Sequence, residues 1–192
     1  MKTVWIVLIV LILALFLVGG KFISVRNDLA AKREAINAAW SQIDADLQRR
    51  ADLIPNLVGT VKAYAKEETG VVDSISKARA GLLAANTPEE KIAANNQIDS
   101  ALGRLLVVVE NYPNLKANQN FQSLQFQLEG TENRILQARR RYNEAVQDYN
   151  TELSLFPQNI VASLSGFHRD DAYFKTDVGA RAAPKVSDDQ KF

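Results

Sequence analysis

The chain has 192 residues, 23 Lys+Arg against 22 Asp+Glu, one His, no Cys and 47% hydrophobic residues. Balanced charge excludes the basic excess of a nucleic-acid-binding protein, and the missing Cys excludes disulfide frameworks, thiol catalysis and Cys-ligated metals. One histidine, His168, leaves no second imidazole for a His-rich metal site or proton relay.

Val4–Val18 is wholly apolar and includes Val4, Trp5, Leu8, Leu11, Leu15 and Val18. With Lys21 snorkelling, Phe22, Ile23 and Val25 extend the stretch to about 20 residues, enough to cross a bilayer. Its apolar residues exceed any helical face, so it is not an amphipathic core helix. A cleaved signal peptide is the competing reading, but Leu17-Val18-Gly19-Gly20 is no A-x-A-like cleavage site. Lys21, Arg26, Lys32 and Arg33 follow the span, whereas only Lys2 and the α-amino group precede it. The positive-inside rule then places the body in the cytoplasm and the short N-terminus outside.

The remainder reads as helices, without strand-like alternation. Ile36, Trp40, Ile43, Leu47, Ile54, Leu57, Val61 and Tyr64 follow 3-4 steps, with Arg50 at the skipped seam position. Shorter helices carry Val72, Ile75, Arg79 and Leu82, then Ile98, Leu102, Leu105 and Val109. The last long helix carries Phe121, Leu124, Leu128, Thr131, Ile135, Ala138, Tyr142, Ala145 and Tyr149, an unbroken coiled-coil-like seam. Glu67–Gly70 loosens the chain after the first long helix. Thr87, Pro88 and Glu90 form a helix start with a capping box. Pro113 and Pro157 stop the third and fourth helices, and Pro157 opens a short helix to Gly166.

The expected architecture is all-α: a transmembrane anchor (1–25), an elongated antiparallel four-helix bundle (26–167) and a largely disordered tail (168–192). At 1.5 Å per residue the two long helices measure roughly 66 and 57 Å, and the middle ones about 28 and 36 Å. Four helices therefore fill only the membrane-distal end, and the first and fourth continue alone as a stalk. The fourth returns to the membrane and brings Phe156, Ile160, Val161, Leu164 and Phe167 near the headgroups.

No constellation for catalysis emerges. Pro55 reads as a tolerated kink, with a hinge or partner-docking bend as the alternative, and Gly59 eases either. Arg50 and Glu132, beside Thr131 on the last seam, read as a buried pair that sets helix register; a polar ligand site is the alternative. His168, Asp170 and Asp171 offer one strong nitrogen ligand in a loop, so no metal site is expected. Glu67-Glu68 and Glu89-Glu90 diverge by about 100° and suit helix ends, while Arg139–Arg141 reads as a solvated face. No cofactor is expected.

Several ordered strings resemble the LemA family: Ala39–Asp44, Leu47–Val58, Thr60–Ala65, Glu110–Asn118, Thr131–Ile135, Ala138-Arg139, Tyr142-Asn143, Tyr149-Asn150, Phe156–Asn159 and Gly166-Phe167. Gly59 and Gly130 depart from its pattern. The resemblance implies a bacterial single-pass inner-membrane protein with a helical body, an external N-terminus, no accepted active site and an unsettled molecular function. It marks Arg49, Arg50, Asp52, Pro55, Asn111, Tyr112, Pro113, Glu132, Asn133 and Arg134 for structural or docking roles. The expected function is a membrane-anchored scaffold or adaptor whose partners are the lipid bilayer and other proteins or a second copy, with no nucleic acid, metal or catalysis. The alternatives are a ligand-binding or enzymatic bundle around Arg50 and Glu132, and a membrane-remodelling protein.

Overall fold

The computed structural model describes residues 2–174. They form an all-α fold of six helices: α1 (Lys2–Tyr64), α2 (Thr69–Ala84), α3 (Pro88–Val109), α4 (Pro113–Lys116), α5 (Gln119–Ser154) and α6 (Gln158–Ser165). α1 runs unbroken through Gly19-Gly20 and Pro55, a length of about 95 Å. Its most apolar 18-residue window has none of its residues buried. A core helix of a soluble protein would be covered there, so the segment has the character of a membrane span.

Beyond the span the expected seams pack together. Ile36, Ile43, Leu47, Ile54, Leu57 and Val61 of α1 are buried with Phe121, Leu124, Leu128, Ile135 and Tyr142 of α5. α5 returns along α1 for most of its length, and α2 with α3 makes a shorter hairpin against the distal half of α1. On α1 and α5 the seam shifts at Tyr64, exposed with Ala65 buried, and at Ala145, replaced by Val146; on α2 and α3, Ala78 and Ala101 are buried in place of Arg79 and Leu102. A straight helix at 3.6 residues per turn drifts from a 3.5-residue repeat, so the buried stripe steps sideways by one residue.

Local chemistry starts and stops these elements. Glu90 N donates to Thr87 Oγ1 (3.2 Å), and Glu90 Oε2 accepts from the Thr87 and Asn86 amides. Those two backbone donors hold the Glu90 carboxyl below its usual pKa. Asn118 Oδ1 caps α5 by accepting from Phe121 N. α4, a single turn absent from the expected elements, follows Pro113 and buries Leu115.

Pro55 has a specific consequence. A residue with an N–H at that place would donate to the Ala51 carbonyl; proline does not. Arg79 of α2 takes over, its Nε donating to Ala51 O at 2.8 Å. The missing helical bond thus becomes a tie between α1 and α2. Arg79→Met should cost about 1–3 kcal/mol, the penalty of an unpaired acceptor. In a Pro55→Ala background, where residue 55 supplies the N–H, the same change should cost roughly 1–2 kcal/mol less. Thermal melts of the four variants measure the coupling, and equal costs in both backgrounds would refute it.

The stalk is not a bare helix pair. His168–Phe174, assigned above to the disordered tail, lies along α1 and α5, and the tail residues after Phe174 are outside the described range. Gly166 adopts φ 74° as the C-cap of α6, a left-handed conformation that suits glycine. The chain turns there and runs back along α5. The physical reason for this covering strap is aromatic: Phe174 stacks on Trp40 (6.0 Å) and meets Tyr142 edge-on (5.4 Å), with the Arg139 guanidinium 5.3 Å from its ring. The helix pair alone would leave Trp40 and Tyr142 partly bare.

Candidate functional site

The polar centre of the body is Arg50, whose side chain is 4% exposed. Its α1 seam position points the guanidinium at α3 and α5. Nη2 donates to Asp99 Oδ1 (2.5 Å), and Nη1 donates to Asn95 Oδ1 (2.8 Å) and Glu132 Oε2 (2.6 Å). Asn95, wholly buried, also donates to Asp99 Oδ2 one helical turn on. One buried cation therefore ties three helices. The two carboxylates keep a solvent edge, at 39% and 30% side-chain exposure.

Arg50, Asp99 and Glu132 also line a cleft of about 240 Å³ between α3 and α5. Leu57, Leu102, Leu105, Phe121 and Leu128 make its apolar lining, and Glu129 joins the acidic residues. A second polar tie crosses lower down: Asp46, buried, accepts from Gln42 and pairs with Arg134 at 3.3 Å. Lys91 of α3 pairs with Asp44 of α1.

The family model for the LemA family matches residues 39–187. The chain belongs to the LemA family. It is similar to "Magnetosome protein MamQ 2" of Paramagnetospirillum magneticum, 27% identical over 82% of this chain and 65% of that protein. It is also similar to "Magnetosome protein MamQ" of Magnetospirillum gryphiswaldense (22%; 90% and 70%) and "Protein LemA" of Metamycoplasma hominis (26%; 73% and 65%). The aligned part thus spans just under two thirds of the length of the first of these relatives. The exposed apolar start of α1 and this membership make it a membrane-associated LemA-family protein.

The LemA-type strings fall into separate places. Arg50 and Glu132 meet; Arg49 and Asn133 beside them face solvent. Asp52 is also exposed and accepts from Gln48 at 2.9 Å. Arg134 serves Asp46, and Pro55 acts through Ala51. Asn111 and Pro113 are exposed at the distal turn, while Tyr112 packs on the core and donates to Glu68 Oε1 (3.0 Å), joining the α3–α4 turn to the α1–α2 turn. That hydrogen bond raises the Tyr112 phenol pKa. The anchor residues Val4, Trp5, Leu8, Leu11, Leu15 and Val18 are all exposed.

Sequence reasoning missed Asn95 and Asp99, although Asn95 continues the Ile98–Leu102 series one 3-residue step earlier. It also missed the paired Asn143 and Asn150. Asn143 Nδ2 donates to Phe174 O (3.0 Å) and its Oδ1 accepts from Phe174 N (2.9 Å). Asn150 does the same with Asp170 O (2.6 Å) and N (3.0 Å), and Tyr149 Oη donates to His168 O (3.0 Å). Seven residues, about two helical turns, separate the Tyr142-Asn143 and Tyr149-Asn150 dipeptides, so one face grips the strap twice. His168, Asp170 and Asp171 lie on this strap; among the described residues no three His, Asp or Glu side chains gather as a cation site.

Burial, then the negative charges of Asp170 and Glu89, push the Tyr142 phenol up to about 12 from its usual 10.0. The unfolded chain therefore loses this proton first. Stability should be intact below pH 10 and fall as pH rises from about 10 to about 12. Tyr142→Phe should flatten that fall relative to the native chain while changing stability little at neutral pH. Denaturant midpoints at pH 9 and 11.5 test this, and identical pH slopes would exclude the assignment.

Proposed function

We propose that the protein is a membrane-anchored helical scaffold, presenting its distal body to protein partners at the cytoplasmic face of the bacterial inner membrane. The cleft between α3 and α5 carries the reading. Leu106 of its lining is half-exposed, and the sequence neighbours of lining residues Leu106 and Gln125, Val107 and Phe126, are 70% and 77% exposed. Exposed apolar clusters rimmed by polar residues mark interaction surfaces. At about 240 Å³ the cleft lies below the usual 300–1,000 Å³ of small-molecule sites, and it suits one or two inserted partner side chains. Asp99, Glu129 and Glu132 outnumber Arg50 there, which complements a partner helix with Lys or Arg beside its apolar anchor. The relatives' names attach no reaction.

A photo-crosslinker at Phe126 or Leu106 in intact cells should yield discrete adducts, absent when it stands at exposed Arg141. An adduct of twice the mass would identify a second copy; monomer alone at both positions would remove the reading. A single Phe192→Cys, free of competing thiols, tests the side: labelling by an impermeant thiol reagent only after permeabilisation agrees with a cytoplasmic body.

A ligand-binding or enzymatic site is the second reading. It is favoured by the convergence of Arg50, Asp99 and Glu132 on the cleft itself. An Arg50→Met protein that keeps its crosslinks and its melting temperature would leave the polar group free for such a role.

A further inference from the structure

The membrane-proximal end of the body bears an apolar ridge that the core does not use. Residues 155–167 contain no charged side chain; at the chain's average of 23% charged residues, about three would be expected over that length. α6 inside this stretch buries Val161 and Ala162 against Val25 and Leu29 of α1, with Phe22 and Phe167 packed beside them. Its outer side leaves Ile160 51% and Leu164 73% exposed, one helical turn apart. Phe156, at 79%, and Leu155, at 47%, extend the ridge through the preceding turn.

The depth of this ridge follows from α1. Val4–Ile23 is 20 residues of helix, about 30 Å, the thickness of the hydrocarbon layer. Val25 then stands about 3 Å beyond that layer and Leu29 about 9 Å beyond it. The headgroup layer on one side is roughly 5–8 Å deep. α6, clamped to Val25 and Leu29, thus sits at headgroup level, where amphipathic helices bury their apolar side. Arg26 of α1, exposed, supplies a basic group at the same depth, which α6 lacks, and Lys21 reaches that level by snorkelling. The ridge belongs to the helix packed beside Phe22 and Val25, where the apolar start of α1 ends, and not to the acidic cleft formed by Arg50, Asp99 and Glu132.

We infer that Phe156, Ile160 and Leu164 insert into the headgroup–acyl boundary of the leaflet from which α1 emerges, forming a second membrane contact beside the anchor. The occupant of this face is lipid. Because α6 is fused to α5 and packed on α1, the contact fixes the tilt and rotation of the body on the membrane, and so the direction in which the α3–α5 cleft faces. The inference rests on α1 spanning the bilayer.

The native chain has no Cys, so single substitutions carry nitroxide labels cleanly. Full-length Phe156→Cys, Ile160→Cys and Leu164→Cys, with Leu11→Cys and Val107→Cys as references, are reconstituted in phosphatidylcholine–phosphatidylglycerol vesicles. Collision with oxygen is then compared with collision with a water-soluble nickel chelate. The ridge labels should show an oxygen-to-nickel ratio several-fold above Val107 and below Leu11. A ratio equal to that of Val107 would overturn the inference. So would protection from both reagents, with spin–spin broadening that disappears on dilution with unlabelled protein, because a second copy would then cover the ridge. Should Leu11 itself report water, the spanning reading fails and not the ridge alone.

Discussion

Neutralising Asp99 and Glu132 together (Asp99→Asn, Glu132→Gln) should destabilise the body more than removing the arginine between them. Arg50 is almost wholly buried, whereas the two carboxylates keep 39% and 30% of their side-chain surface. Without its counter-charges the guanidinium stays trapped in the core, a situation that costs about 3–5 kcal/mol. A body of this size should then melt roughly 10 °C lower. After Arg50→Met the two carboxylates can turn to water, and a flexible apolar side chain fills the space. That change should cost no more than about 1–2 kcal/mol, since apolar replacements of buried ion pairs are often near neutral. Thermal melts of both variants decide it, and a greater loss in Arg50→Met would reverse the assignment of which charge is captive. The cluster serves specificity more than net stability: it brings Asn95 and Asp99 of α3 and Glu132 of α5 together at one level of α1.

Asn150→Ala should release the strap without unfolding the bundle. Three hydrogen bonds end on this side chain: two to the Asp170 backbone and one to the Tyr173 hydroxyl at 3.1 Å. At about 0.5–1.5 kcal/mol net for each bond, their loss comes to roughly 2–3 kcal/mol, half of the six hydrogen bonds that the Asn143, Tyr149 and Asn150 side chains make to the strap. The opening is local, because α1 and α5 remain packed through Ile43, Leu47, Ile135 and Val146. Trypsin should therefore cut after Arg169 much faster in the variant while the main melting transition moves little. Unchanged cleavage would show that Asn143, Tyr149 and the ring of Phe174, wedged between Trp40 and Tyr142, hold the strap without Asn150.

The helices were legible because their signals are local and periodic. The all-apolar Val4–Val18, the 3-4 spacing from Phe121 to Tyr149 and the Thr87–Glu90 box each lie within a few turns of one helix, where side-chain direction follows from the backbone. Arg50 was legible as an oddity on an apolar seam, and Glu132 as its candidate partner. Asn95 and Asp99 were not, because a polar residue on a short helix does not announce which charge it will face. The strap escaped for a related reason: His168–Phe174 has no periodicity, and what holds it is a set of backbone hydrogen bonds to Asn143 and Asn150 and a ring cluster shared with Trp40. Those partners lie 20 to 134 residues away in the chain.

By itself, then, the amino-acid sequence determined the apolar start of α1, the all-α class and most of the buried faces, since each depends on hydrophobic spacing within single helices. Only the tertiary structure decided the rest. It showed that Arg79 completes the carbonyl left open by Pro55, that a strap covers the stalk, and that Arg50 ties α1 to α3 and α5 beside an open cleft. Each of these joins a donor to an acceptor, or a ring to a ring, across distant parts of the chain, and long-range pairing leaves no periodic trace in the sequence.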